Sequence, residues 1–307
     1  MGEELRIYRL HRDLVTLSGP DAVGYLQGQV SQDVAGLEVG ASAWSWILQP
    51  AGKVDALVRV TRTGPDTLDV DVDRGWGEVV VNRLTRFKLR TKVEIVAAPV
   101  WAPLGMSHEP LAQPDNGGVG IWAFRGPGAT AAAAELAGGD PLASRVPLWR
   151  GSEEAADTVL GGRRIVTFPP GTLGQDEWEP ERIAAGVPAM GAELTEKTIP
   201  AETGLVEQTA SFTKGCYTGQ ELVARIDSRG GNVPRHLRGL RSATPLAVGT
   251  ELVAGDKVVG TVTSAAVSSA LGPIGLAYVG RAVSPGAVVV AGGAEVEVEV
   301  VELPIRG

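Results

Sequence analysis

Of 307 residues, one is cysteine, three are histidine, and tyrosine and phenylalanine number four each. The lone cysteine, Cys216, excludes an intramolecular disulfide framework and points to a reducing compartment. It also cannot supply the four thiolates of an ordinary iron–sulfur cluster. His11, His108 and His236 lie far apart, with none in an HExxH-like spacing, which argues against a protein-built zinc site. No apolar run approaches the roughly 18 residues of a spanning helix. The start, MGEELRIYRL, has no apolar core of a secretory signal, and Arg6 stands where a myristoylation site wants Ser or Thr. Positive charge is outnumbered, 28 Lys and Arg against 36 Asp and Glu for a net charge of -8, which opposes general binding to a phosphate backbone. Neither GxGxxG after a strand nor GxxxxGK[ST] occurs, and Gly161-Gly162-Arg163-Arg164 lacks the later glycine and lysine. Nucleotide-dependent redox and kinase chemistry therefore have no support. Together these absences predict a soluble, cytoplasmic protein with no membrane segment and no direct DNA binding.

What is present is a core. Hydrophobic residues make up 44% of the chain and charged residues 21%, and the length suits two domains, or one bipartite domain with a smaller partner. Ser18 and Asp21, with Pro20 in the first turn, predict a helix carrying Val23, Leu26 and Val30. Residues 41–50, 55–62 and 67–73 read as strands, the last by alternation of Leu68, Val70 and Val72 with acids. A helix over roughly 74–86 and a strand over 90–100 follow. Further strands are predicted at 119–126 and 163–168, with helices at 128–137 and 177–185. Beyond Arg235, short strands separated by Gly, Pro and Asp turns suggest a small barrel or sandwich; in the last, Val296, Val298 and Val300 alternate with glutamates. The fold class predicted is α+β, with antiparallel sheets and flanking helices, divided into 1–229 and 230–307 near the SRGGNVPR segment.

Residues 214–221 read KGCYTGQE. Thr218 followed by Glu221 forms a capping-box pattern, predicting a helix from Thr218 through Leu222, Val223 and Ile226. Cys216 would then lie just before exposed helix amides, with Lys214 nearby, and each influence favours a thiolate over a thiol. A lone cysteine is more often a small buried hydrophobe, but its neighbours here are polar rather than aliphatic.

The stretch 182–225, and KGCYTGQE within it, closely resembles the YgfZ family of folate-binding proteins. The segments VTLSGPDAVGYLQGQVSQDV and GTVTSAAVSSALGPIGLAYV are similar to the wider fold shared with the glycine-cleavage T-protein, an aminomethyltransferase. The resemblance implies a bipartite folate-binding region closed by a C-terminal β-barrel. It implies a monomer that binds tetrahydrofolate or a derivative, with or without a polyglutamate tail, and supports assembly or repair of iron–sulfur clusters. Its partners would be iron–sulfur client enzymes or assembly proteins, including enzymes that thiolate tRNA. Cys216 and Lys214 would carry the chemistry, while Asp55, Arg182, Tyr217, Gln220, Glu221 and Arg225 would bind folate.

The resemblance departs at two points. The aminomethyltransferases hold the pteridine with the glutamate of an Arg-Leu-Glu-Ala-Gly motif; here Arg182 to Gly186 read RIAAG, with Ala184 in its place. They also carry paired aspartates after a strand-entry glycine, and after Gly52 only Asp55 remains, followed by Ala56. Losing these carboxylates argues against glycine-cleavage aminomethyl transfer. Other readings are a one-carbon transferase, a folate-gated binding module in which Cys216 merely packs, and a factor acting directly on tRNA, which the acidic charge opposes. Arg225, Arg229, Arg235, Arg238 and Arg241 form a basic run that could meet a polyglutamate tail or stand as a solvated face. Arg83, Arg86, Lys88, Arg90 and Lys92 read as one wet strand face. Trp44 and Trp46 share a strand face as core or pocket wall.

Overall fold

The computed structural model describes residues 5–97, 120–137, 144–147, 158–162, 171–292 and 296–307. Strands β1 (Arg6–Leu10) and β2 (Arg12–Ser18) come first, then helix α1 (Ala22–Gln27) and strands β3 (Ser42–Leu48), β4 (Val54–Gly64) and β5 (Thr67–Asp73). Helix α2 (Gly77–Arg86) leads to β6 (Glu94–Ala97) and β7 (Gly120–Arg125), and α3 (Ala129–Ala137) to β8 (Ser144–Pro147) and β9 (Thr158–Gly162). Three helices follow, α4 (Gln175–Ala185), α5 (Val206–Thr209) and α6 (Gln220–Asp227). The last strands are β10 (Arg235–Ser242), β11 (Glu251–Ala254), β12 (Lys257–Ser268), β13 (Gly272–Gly280), β14 (Val288–Ala291) and β15 (Val296–Val301). They form two antiparallel sheets, ordered β3-β4-β5-β2-β6 and β1-β7-β9-β8, and a closed barrel ordered β10-β13-β12-β11-β14-β15. The α+β class and the barrel are as the sequence predicts. Among the described residues no helix is long and apolar enough to cross a membrane.

Two sequence expectations are corrected here. The sequence reading places no strand over β1 or β2, and Ser18 ends β2 rather than capping a helix. Gly19, at φ 123°, turns the chain so that α1 starts only after Asp21, whose carboxylate accepts from the Lys92 N–H at 2.7 Å instead. Residues 83–92 are not one strand face, because Arg83 and Arg86 belong to α2 and Arg83 is buried. The strand expected at 163–168 lies outside the described residues.

The five-stranded sheet is covered on both sides. On one face Val15, Leu17, Ile47, Val58, Val60, Leu68, Val70 and Val72 pack against Leu26 of α1 and Val80 and Leu84 of α2. The start of α2 is held from the sheet, since Asp13 Oδ2 accepts the N–H groups of Gly75 and Gly77 at 2.7 and 2.9 Å. An alternating antiparallel strand usually turns its polar side to water, and β5 does not. Asp69 and Asp71 are buried, on the face shared by Trp44, Trp46 and Leu57. Arg59 pairs with Asp71 in the ladder and donates Nε to its Oδ2 at 2.7 Å. Arg12 donates Nε to the other oxygen and Nη1 to Asp73 Oδ1, with its guanidinium 5.3 Å from the Trp44 ring centre. Thr16 completes the set by donating to Asp69 Oδ1 at 2.7 Å. Burial opposes the charge on Arg12, but Asp71 and Asp73 outweigh it and its pKa rises. A second core beyond this face gathers Tyr8 and Ile121 of the other sheet, Trp178 and Ala185 of α4, and Tyr217 and Val223.

Helix α4 joins this body to the barrel. Ile183 and Ala184 pack with Leu237, Ile274, Leu276, Tyr278 and Ile305, and Ile305 N–H donates to Ala184 O at 2.7 Å. Inside the barrel lie Leu240, Leu252, Val262, Val279, Val298 and Val300. Glu297 and Glu299 of β15 point outward and are exposed.

Removing one partner of a buried pair leaves the other charge without compensation. Asp71→Ala is therefore expected to cost about 3–5 kcal/mol of stability in urea unfolding. A cost below about 1 kcal/mol, the range of surface pairs, would place these acids in water and contradict the orientation described.

Candidate functional site

Three short segments converge beside the edge of the five-stranded sheet: residues 27–32 after α1, the β3–β4 tip at 49–53, and the run 208–219 that leads into α6. The first and third run alongside each other. Ser211 N–H donates to Ser31 O at 3.0 Å and Thr218 N–H to Gly28 O at 3.1 Å, while Ser31 Oγ donates to Thr209 O at 2.6 Å. Lys214 reaches across the pair. Its Nζ donates to the carbonyls of Gln27, Val30 and Gln32 at 2.5, 2.7 and 3.0 Å. Burial pushes its pKa down to about 8, with Asp33 opposing.

The tip and the third segment meet through two glycines. Gly219 has φ 82°, and a Cβ there would lie 2.5 Å from Gln49 O and 2.8 Å from Leu48 Cβ. Gly52 has φ 78°, and its Cβ would fall 2.4 Å from Leu222 Cβ. Only glycine combines the left-handed backbone with this approach. The same contact overturns the expected capping box. Helix α6 begins at Gln220 with Gly219 at the N-cap and no side-chain cap bond, because a left-handed residue 219 cannot continue a helix from Thr218. The local closure is instead Tyr217 N–H to Gln220 Oε1 at 3.1 Å.

Cys216 sits at the outer edge of this assembly, free and exposed. Tyr217 beside it is buried in the central core, and burial pushes its pKa up to about 12, so it stays a neutral phenol. Asp55 is the second residue of β4, just beyond the tip. Its Oδ2 accepts Arg83 Nε at 3.0 Å, and the same guanidinium donates to Gln29 Oε1 at 3.1 Å and to Leu48 O at 2.8 Å. Burial lowers the pKa of Arg83 while Asp55 raises it, and the Phe87 ring lies 4.0 Å from the guanidinium. Sequence reasoning misses Arg83 and Gln29 as site residues. A buried arginine on the apolar side of α2, one turn from Val80, was the available signal.

The site residues expected from the sequence thus divide. Asp55, Lys214, Cys216, Tyr217 and Gln220 belong to one assembly, while Glu221 and Arg225 lie on the exposed side of α6. Arg182 is elsewhere and differently employed. It donates Nε to Glu179 Oε2 at 2.9 Å, Nη1 to Val187 O at 2.6 Å and Glu193 Oε2 at 3.2 Å, and Nη2 to Ser264 Oγ at 2.8 Å and to Glu179 Oε1. All five donors of the guanidinium are taken by protein, and together they make a clasp between α4 and β12. The basic run after α6 is likewise not one surface. Arg235 donates to both oxygens of Glu202, at 3.0 and 3.1 Å, and lies 4.3 Å from the Tyr278 ring centre. Among the described residues no group of three or more His, Cys, Asp and Glu is placed to hold a metal ion.

Gly219→Ala is expected to lower stability by about 1–3 kcal/mol through overpacking and backbone strain. Gly215, in the same run, has no atom within 4 Å of a built Cβ, so Gly215→Ala should stay within about 0.5 kcal/mol. Equal melting temperatures for the two variants would show that the glycine contact does not hold the assembly.

Comparison with known proteins adds family context to this geometry. The glycine cleavage T-protein C-terminal barrel domain matches residues 235–305. The tRNA-modifying protein YgfZ of Klebsiella pneumoniae (strain 342) is 29% identical over 238 residues, covering 71% of this chain and 66% of that protein. The aminomethyltransferase of Corynebacterium jeikeium (strain K411) is 28% identical over 330 residues, covering 94% and 82% respectively. The crystal structure of glycine cleavage system aminomethyltransferase T from Bartonella henselae superposes with a TM-score of 0.74 at 19% identity, over 99% of this chain and 86% of that one. The chain is similar to the YgfZ proteins and is built on the fold of the glycine-cleavage aminomethyltransferases.

Proposed function

We propose that the protein is a folate-binding accessory factor that supports assembly or repair of iron–sulfur clusters in other enzymes, with Cys216 as its reactive group. Residues 1–229 form the folate-binding region and 230–307 the barrel that closes it. Its effect on tRNA modification, the role in the name of its YgfZ relatives, would pass through cluster-dependent enzymes, since a net charge of -8 disfavours direct contact with RNA. The observation that carries this reading is the presentation of the sole cysteine. Cys216 is exposed, yet Lys214 and Thr218 on either side are bonded to the backbone of residues 27–32. A thiol held outward on a fixed loop is available to a partner in a way that a packed cysteine is not.

Tetrahydrofolate, with or without a polyglutamate tail, fits these residues at one of the two points the family resemblance implies. Asp55 is held by Arg83 through Oδ2, and its side chain is 21% exposed, so a carboxylate acceptor stands ready for a ring nitrogen. Position 184 offers nothing comparable, because Ala184 is packed in the apolar seam between α4 and the barrel. Folate binding without glycine-cleavage aminomethyl transfer agrees with both facts. Calorimetry with tetrahydrofolate should give a measurable heat and a raised melting temperature. Asp55→Asn should weaken binding about tenfold, the value of one hydrogen bond to a charged group. No heat at millimolar ligand would refute folate binding.

The function itself is tested in a deletion strain complemented with wild type or Cys216→Ala, reading cluster-dependent enzyme activities and thiolated tRNA. The variant should fold normally and fail to restore either. Full restoration by Cys216→Ala removes the reactive-cysteine reading. A second reading, one-carbon transfer, draws on the near full-length match to the Corynebacterium aminomethyltransferase, and ammonia release from an aminomethylated carrier protein with tetrahydrofolate would favour it.

A further inference from the structure

The acceptors of Lys214 come from a single short stretch, and that stretch is built without it. Ser31 N–H donates to Trp46 O at 3.0 Å, Trp46 N–H to Ser31 Oγ at 2.8 Å, and Gln32 N–H to Ser45 Oγ at 2.8 Å. Val30 bridges to Ile47 and donates its N–H to Leu26 O at 3.1 Å. The Gln27 side chain turns back to accept from Val34 and Ala35 N–H at 2.9 and 3.1 Å. The carbonyls of Gln27, Val30 and Gln32 are thereby pinned so that all three aim at one point. At that point sits the Lys214 ammonium, with one acceptor for each of its three N–H groups and the Tyr217 ring 5.2 Å away. Converging backbone carbonyls that replace a hydration shell are how proteins hold monovalent cations, and an aromatic face adds to the attraction.

We infer that residues 27–32 form a monovalent-cation site that Lys214 fills with its own ammonium, and that Lys214 is therefore a positioning residue for the Cys216 loop, not a proton donor or acceptor for the sulfur. With three N–H groups committed to carbonyls, the ammonium has no hydrogen left to offer a thiolate. Half out of water, it has lost hydration that these oxygens replace. Its effect on Cys216 is mechanical. Lys214 and the buried Tyr217 are both anchored, Cys216 lies between them, and the thiol is left facing solvent. The inference stands on geometry and needs neither folate nor any cellular role of the cysteine.

The test uses the full-length protein with Lys214→Ala and Lys214→Met, melted at equal ionic strength in choline, sodium, potassium or ammonium chloride. Wild type should be indifferent to the cation. Lys214→Ala should melt several degrees lower in choline and regain much of the loss in ammonium or potassium, while Lys214→Met, whose side chain fills the site, should not recover. Alkylation of Cys216 by iodoacetamide at a fixed neutral pH should run at the same rate in wild type and in ammonium-filled Lys214→Ala. A rate that stays altered with ammonium in the site would show that the Lys214 side chain itself acts on the sulfur, and the inference would fall. It would fall equally if Lys214→Ala melted like wild type, or lower but identically in all four salts. Should the variants not fold, nitrogen-15 NMR of wild-type protein labelled at lysine decides. Three fixed acceptors predict one slowly exchanging side-chain ammonium signal near neutral pH, and its absence overturns the cation site.

Discussion

Asp71 accepts from Arg12 on one carboxylate oxygen and from Arg59 on the other, and most of the architecture follows from where that exchange takes place. Arg59 is 1% exposed and Asp71 2%. Charges so placed are tolerated only when paired and fully bonded, so the second face of the five-stranded sheet must be closed over by other elements. Tyr8 and Ile121 of the four-stranded sheet, Trp178 of α4 and Tyr217 before α6 supply that cover. Asp73, at the end of the same row, accepts the Met190 N–H at 2.8 Å and ties in the chain that leaves α4. The charged row thus acts as a register mark that the two halves of the N-terminal region share.

At the edge of this sheet the constraint changes from charge to space. Gly52 and Gly219 let two backbones approach to a distance no side chain would permit, and the run 208–219 is bonded along residues 28–32. The outcome is a loop with a fixed course and one exposed sulfur. Asp55, Arg83 and Gln29 form a second polar group around the same tip. The Asp55 carboxylate and the Cys216 thiol therefore share one rigid support.

Ala184 is buried against Leu276 and Ile305 of the barrel seam. Arg182, two residues earlier, binds Glu179, Val187, Glu193 and Ser264. The end of α4 thereby fastens the barrel to the body. An extra apolar contact and a saturated guanidinium both favour a static joint at this position.

By itself the sequence determined the class of elements and most of their positions. The alternation in β5 and β15 and the glycine-punctuated strands after Arg235 are local signals, and local backbone preference was enough to honour them. The KGCYTGQE segment likewise marked the loop that carries Cys216, because its composition departs from anything a core strand or helix needs. What local signals could not specify is which side of an element meets another. β5 and β15 have the same pattern of valines and acids, yet Glu297 and Glu299 face water while Asp69 and Asp71 face the interior. The difference lies in what covers the second face, and the partners Arg12 and Arg59 are distant in sequence from Asp71. The helix start at Gln220 instead of Thr218 has the same origin, since the left-handed Gly219 is imposed by Gln49 and Leu48 across the contact. Lys214 read as a free cation beside a thiol until the carbonyls of Gln27, Val30 and Gln32, more than 180 residues away in sequence, took all three of its hydrogens. Long-range contacts decided these points because burying a charge or a backbone close approach is settled by the atoms on the other side, which a linear chain does not name.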